Sequence, residues 1–208
     1  MKFYFVRHGR TVWNQEGRFQ GASGDSPLLD DSVLQLKKLG QYLSDIPFDA
    51  IYTSDLPRAV RTAHIIQSQL QKSCPLIETS CLREWQLGKL EGAKISILES
   101  IYPLQLKAFR HNLAKFDSSM FEAESVYSTT QRTIQFLQSL KEKNFEHVLI
   151  VGHGANLTAS IRTLIGFDAG LIRKDGGLDN ASVTILETED FKNFDLVVWN
   201  DTSYQKKH

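Results

Sequence analysis

Two cysteines, no excess of charge of either sign and no long apolar run are the scarcities of this 208-residue sequence. Cys74 and Cys81 suffice for one disulfide, but a chain of this size builds its core without one, and reduced thiols in a cytoplasmic setting are expected. Lysine plus arginine (24) balances aspartate plus glutamate (24), so no long-range field draws nucleic acid or an anionic membrane, and anion binding must be local. No stretch approaches the roughly 18 apolar residues of a membrane span. The apolar run at residues 3–6 is shorter than the roughly 7–15-residue core of a secretory signal, so neither membrane attachment nor export is expected. HExxH and EF-hand spacings are missing, and no metal and no cofactor are expected. A P-loop, a GxSxG elbow and a cysteine followed six positions later by arginine are also missing, which disfavours nucleotide triphosphatase, serine hydrolase and cysteine phosphatase chemistry.

What is present is a folded pattern: 41% apolar and 23% charged residues, near the globular average, without repeats, low-complexity blocks or linkers. Residues 3–6, 49–53, 75–78, 148–151, 183–186 and 196–199 read as short strands. Val33, Leu36, Leu39, Gly40 and Leu43 recur at helical spacing after Asp30 or Asp31 as cap, and Ser54 or Asp55 caps a helix with Pro57 in its first turn. Further helices are expected over 122–143 and 155–164. Strands alternating with helices predict an α/β three-layer sandwich, with a mostly parallel central sheet and helices on both faces. Residues 1–208 are read as a single domain, with 93–121, which lack a clean period, as a helical or loop excursion lying lid-like over the active site. The tail 206–208 is expected to fray.

Two strand ends carry chemistry. Val6 leads into Arg7 His8 Gly9, and Val151 into Gly152 His153 Gly154. In parallel α/β sheets the ligand crevice lies outside the carboxyl ends of the strands, so both imidazoles belong on that rim, with glycines allowing close backbone approach. One strand-end histidine is ordinarily a loop hydrogen bond; two in the same setting point to function. A third strand end delivers Ser54 Asp55 Leu56 Pro57 Arg58, with Arg61 a turn later. Cations in a helix's first turn oppose its dipole unless an anion binds there. Arg7, Arg58 and two histidines on one rim describe a pocket for a dianion. His64, His111, His147 and His208 keep structural readings. Trp13, Phe19 and Trp85 either wall the pocket or pack the core.

Four blocks, in order, resemble the histidine phosphatase superfamily, the phosphoglycerate mutase-like proteins. They are Arg7 His8 Gly9 Arg10 Thr11 with Asn14, Gln20 Gly21 and Asp25 Ser26 Pro27 Leu28; Tyr52 to Ala59 with Thr62 Ala63; Leu82 Arg83 Glu84 Trp85 with Gly88 and Glu91 Gly92; and Gly152 His153 Gly154 with Asn180 Ala181 Ser182 Val183. Departures are one extra residue between Gly21 and Asp25, Ser32 for glycine, Leu90 for tryptophan and Gly152 for serine. The resemblance implies a metal-independent phosphatase that hydrolyses phosphate monoesters through a phosphohistidine. His8 would be the nucleophile, Glu84 the general acid and His153 a further catalytic group. Arg7, Asn14, Gln20, Gly21, Arg58 and Gly154 would bind substrate. Neutral His8 is required for attack, and neighbouring arginines favour that form. Glu84, by composition a surface ion-pair residue, is catalytic only through the resemblance, and needs a raised pKa to act as an acid.

The expected ligand is a small-molecule phosphate ester or inorganic phosphate. Isoleucine and leucine in the lid and at strand edges leave room for a homodimer. The alternatives are a cofactor-dependent phosphoglycerate mutase and a non-catalytic phospholigand binder. Mutases of the family place a basic cluster with paired arginines after the catalytic glutamate. Here Lys94, Lys107, Arg110 and Lys115 are dispersed, so hydrolysis is preferred.

Overall fold

Residues 3–6 are apolar at every position because their strand lies in the middle of a sheet covered on both faces. The computed structural model describes residues 1–205. Among them run β1 (Lys2–Arg7), β2 (Ala50–Ser54), β3 (Leu76–Thr79), β4 (His147–Gly152), β5 (Val183–Glu187) and β6 (Asp195–Asp201). The helices are α1 (Val12–Gln15), α2 (Asp30–Tyr42), α3 (Pro57–Gln67), α4 (Ile95–Ile101), α5 (Pro103–His111), α6 (Val126–Ser139) and α7 (Gly154–Leu164). One sheet has the order β3-β2-β4-β1-β5-β6, parallel except that β5 runs against both neighbours.

Alternating side chains divide the sheet's contacts. Tyr4 and Val6 join Leu36 and Leu39 of α2 and Ala63 and Ile66 of α3 on one face. Phe3 and Phe5 join Leu137 of α6 and Leu157 and Ile161 of α7 on the other. These are the expected three layers. Arg7 of β1 stands opposite Gly152 of β4, and Thr53 of β2 opposite Val151, so three strand ends open on one rim.

Several boundaries differ from expectation. Leu29 and Leu56 are the N-cap residues of α2 and α3 and provide no side-chain cap; Asp30 and Asp31 fall inside the first turn, while Pro57 does occupy the first helical position. The polar loop after β1 contains α1, started by Thr11 and Asn14, which each bond the other's backbone N–H. α6 begins at Val126 behind the Ser125 cap rather than at 122, where Glu122 takes a left-handed φ of 54° and stops the preceding turn. Residues 93–121 form α4, α5 and two short turns around a third core, in which Leu98, Leu106, Phe109, Phe116 and Phe121 meet Phe19, Trp85 and Ile172. The tail 206–208 lies outside the described residues. Cys74 and Cys81 are both free. Among the described residues no helix is long and apolar enough to cross a membrane.

Candidate active site

At the rim, the His8 N–H of the backbone donates to the Gly152 carbonyl (2.9 Å), which ties the first loop to the end of β4. The imidazoles of His8 and His153 lie with ring centroids 5.1 Å apart. Both are buried. His8 Nδ1 is 2.7 Å from the Gly9 carbonyl, an acceptor only, so Nδ1 carries the proton and Nε2 holds the free lone pair. Burial, before Arg58 and Arg7, pushes the His8 pKa well below 6.5. The sequence reading credited the arginines; burial is the larger cause. His153 has its pKa lowered likewise, by burial first and then by Arg58 and His8. Its Nε2 lies 2.8 Å from Ser54 Oγ, which already accepts the Leu56 N–H. The Nδ1 of His153 is buried with no partner among the described residues.

Arg7, His8, Asn14, Gln20, Glu84 and Gly154 line a common cavity of about 400 Å³. Arg7 donates from Nη1 to the Leu178 carbonyl at 2.6 Å, and its Nε is buried without a partner. Gly154 is required by this packing: a Cβ there would fall 2.8 Å from Arg7 Nε. Asn14 Oδ1 accepts from the Thr11 N–H and from Asn180 Nδ2. Gln20 Oε1 accepts from the Thr11 hydroxyl at 2.7 Å, leaving Nε2 buried and unpaired.

His153, Arg58 and Gly21 do not line this cavity. Arg58 is buried, with Nη1 donating to the Gly24 carbonyl and Asp25 Oδ1 (both 2.8 Å) and Nη2 to the Gly21 carbonyl (2.9 Å). Only its Nε remains without a partner. Gly21 therefore holds Arg58, and its own N–H donates to Glu91. Buried nitrogens of Arg7, Gln20, Arg58 and His153 have no partner among the described residues, and buried polar groups of this kind call for a ligand that satisfies them.

Glu84 comes from the loop between β3 and α4 and is held at the N-terminus of α7. Its Oε1 accepts from the backbone N–H groups of Asn156 (2.7 Å) and Trp85 (2.8 Å), and its Oε2 from that of Ala155 (2.9 Å). Oε2 keeps a lone pair for the cavity. The expected surface ion pair is replaced by burial and backbone donors. Behind the loop, Arg132 of α6 donates to the carbonyls of Cys81 (3.0 Å) and Arg83 (2.9 Å) and pairs with Glu124.

Sequence reasoning missed Ser54 as the partner of His153, Arg132, and three further cavity residues, Arg18, His111 and Arg173. The basic pair Arg173 Lys174 just before Gly176 Gly177 was the only local signal for the last. Of the aromatics, Phe19 lines the cavity, Trp85 is fully buried in the third core, and Trp13 packs against Gly24 and Gly92. Among the described residues no group of three or more histidine, cysteine, aspartate or glutamate side chains is placed to hold a metal ion.

The family model of the histidine phosphatase superfamily (branch 1) matches residues 3–202. A probable phosphoglycerate mutase GpmB of Erwinia tasmaniensis is 33% identical over 177 residues, covering 84% of this chain and 79% of that protein. Among solved structures, Bacillus stearothermophilus YhfR superposes with a TM-score of 0.89 at 29% identity over 98% of both chains. A mycobacterial glucosyl-3-phosphoglycerate phosphatase complexed with VO3 gives 0.86 at 25% identity, covering 97% of this chain and 99% of that one.

Proposed function

The chain belongs to the histidine phosphatase superfamily, and from that premise we propose that it hydrolyses phosphate monoesters through a phosphohistidine on His8 Nε2. The single observation that carries the reading is the Nδ1–H bond from His8 to the Gly9 carbonyl, which presents a neutral, unprotonated Nε2 beside His153.

In the first step Nε2 forms a bond to phosphorus while the bond from phosphorus to the ester oxygen breaks. The nonbridging oxygens are received by Arg7 Nε, Arg58 Nε, Gln20 Nε2 and His153 Nδ1, with Asn14 and Gly154 shaping the seat. Donors fixed in advance around spreading charge are what a phosphoryl transfer needs. The carboxyl proton of Glu84 passes from Oε2 to the leaving alcohol. In the second step water loses a proton to the same oxygen and attacks phosphorus, the N–P bond breaks, and phosphate and neutral His8 are regenerated. The excursion 93–121 acts as the lid, since Ile95, Phe109, Arg110 and His111 wall the cavity. Two free cysteines favour a cytoplasmic setting.

The test is hydrolysis of p-nitrophenyl phosphate without added metal. His8→Ala is expected to lose at least about three orders of magnitude; a rate equal to wild type would remove the nucleophile. Mutase activity is the second reading, favoured by Arg18, Arg110 and Arg173 on the cavity and by the name of the GpmB relative. Interconversion of 2- and 3-phosphoglycerate with a bisphosphate primer separates the two. A non-catalytic binder would have no use for Glu84 lining the same cavity as His8.

A further inference from the structure

The main chain of the nucleophile is held by bonds that trace back to a residue outside every motif of the sequence. The His8 carbonyl accepts from Asn180 Nδ2 (3.1 Å), and the Ala181 N–H donates to the Arg7 carbonyl (3.0 Å) with a longer branch to that of His8 (3.4 Å). The Gly9 N–H donates to Thr62 Oγ1 at 3.1 Å. Both edges of the His8–Gly9 peptide are therefore fixed, and the peptide that follows carries the Gly9 carbonyl to which the His8 ring is bonded.

Ala181 meets this task in a conformation that alanine disfavours. Its φ is 57°, in the left-handed region, and the residue is fully buried. Of the four described non-glycine residues with positive φ, it is the one whose N–H reaches the nucleophile's strand. A strained residue of this kind persists where its surroundings over-determine it. The second hold on Ala181 is Tyr204, in the short helical turn Ser203–Gln205 after β6, whose hydroxyl donates to the Ala181 carbonyl at 2.7 Å. Tyr204 lies beyond residue 202, where the family match ends. Its ring stacks on that of Tyr42 in α2, with centroids 5.8 Å apart, and packs against the core that holds Val6 and Leu36. Burial pushes its pKa up to about 12, so the hydroxyl keeps its proton at neutral pH.

Resting on the phosphatase reading above, we propose that Tyr204 is a positioning residue for the nucleophile: its hydroxyl locks Ala181 in the left-handed conformation and, through Ala181, fixes the main chain that aims His8 Nε2. Tyr204→Phe keeps the ring, its stack on Tyr42 and its core contacts, and removes the bond to Ala181. Two readouts follow, each taken well below the Tm of the variant. The first needs no turnover. The His8 Nδ1 proton, identified in the NMR spectrum by its loss in His8→Ala, should exchange with water at least about fivefold faster in Tyr204→Phe, the range of one ordinary hydrogen bond. The second is kcat on p-nitrophenyl phosphate, expected to fall roughly 5- to 20-fold as the nucleophile loses its aim. Adding Ala181→Gly should recover most of both changes, because glycine takes positive φ without help. A ring proton that exchanges at the wild-type rate, a kcat within about twofold of wild type, or a double variant as impaired as Tyr204→Phe overturns the proposal. A wild-type chain that hydrolyses no phosphate ester, while the exchange and its recovery behave as expected, rejects the phosphatase reading and leaves the lock standing.

Discussion

The two buried imidazoles bind fewer protons in the folded protein than in the unfolded chain, because burial lowers both pKa values well below the free value of 6.5. Their contribution is therefore complete above about pH 6.5 and is lost as pH falls from there toward the folded pKa values, at about 1.4 kcal/mol per pH unit for each ring. Urea unfolding at pH 7.5 and 5.5 should report a stability drop of about 2–3 kcal/mol from this pair. His8→Ala should remove about half of it, and an identical drop in the variant would contradict the buried neutral state of His8. At this scale the site was largely legible. Arg7, His8, Glu84 and His153 stand at strand ends or in motif blocks. Arg173 did not, because beyond a basic pair with Lys174 nothing near it in the chain marks it: its partner Phe109 lies 64 positions away.

Elements decide how well those residues are aimed. α7 offers the backbone N–H groups of its first turn to Glu84, the favourable end of the helix dipole for a carboxylate. α6 contributes from behind, where Arg132 gathers the carbonyls of Cys81 and Arg83. Arg132 is thus a positioning residue. Arg132→Met is expected to lower kcat/KM by roughly tenfold on an alkyl phosphate. The loss should be clearly smaller on p-nitrophenyl phosphate, whose leaving group departs without a proton; equal losses would indicate a structural role alone. The strands were readable because burial on both faces leaves an uninterrupted apolar run. α4 and α5 were not, since their apolar residues face Phe19, Trp85 and Ile172 and not the sheet, and the chain breaks at Tyr102 before Pro103.

For the whole molecule, the rim joins parts far apart in the chain: the loop after β1, the start of α7, the Glu84 loop and the segment bearing Arg173. An oxyanion that engages the unpaired donors should tie the three cores together thermally. Tungstate at 100 times its dissociation constant is expected to add about 2.7 kcal/mol, or roughly 5–10 °C in Tm for a chain of this size. The increment should shrink strongly in Arg7→Ala; the same increment in both proteins would place the anion elsewhere. The α/β class and three layers followed from strand and helix alternation, whereas the third core, assembled from residues 19 to 172, had no local pattern to reveal it.

The acceptor that orients His8 belongs to the main chain at Gly9. No codon change can delete a carbonyl oxygen, so drift among descendants of this gene can reshape the walls, exchange the clamp and alter what is admitted while the nucleophilic nitrogen keeps its heading. New specificities can then arise on an old reaction without first rebuilding it.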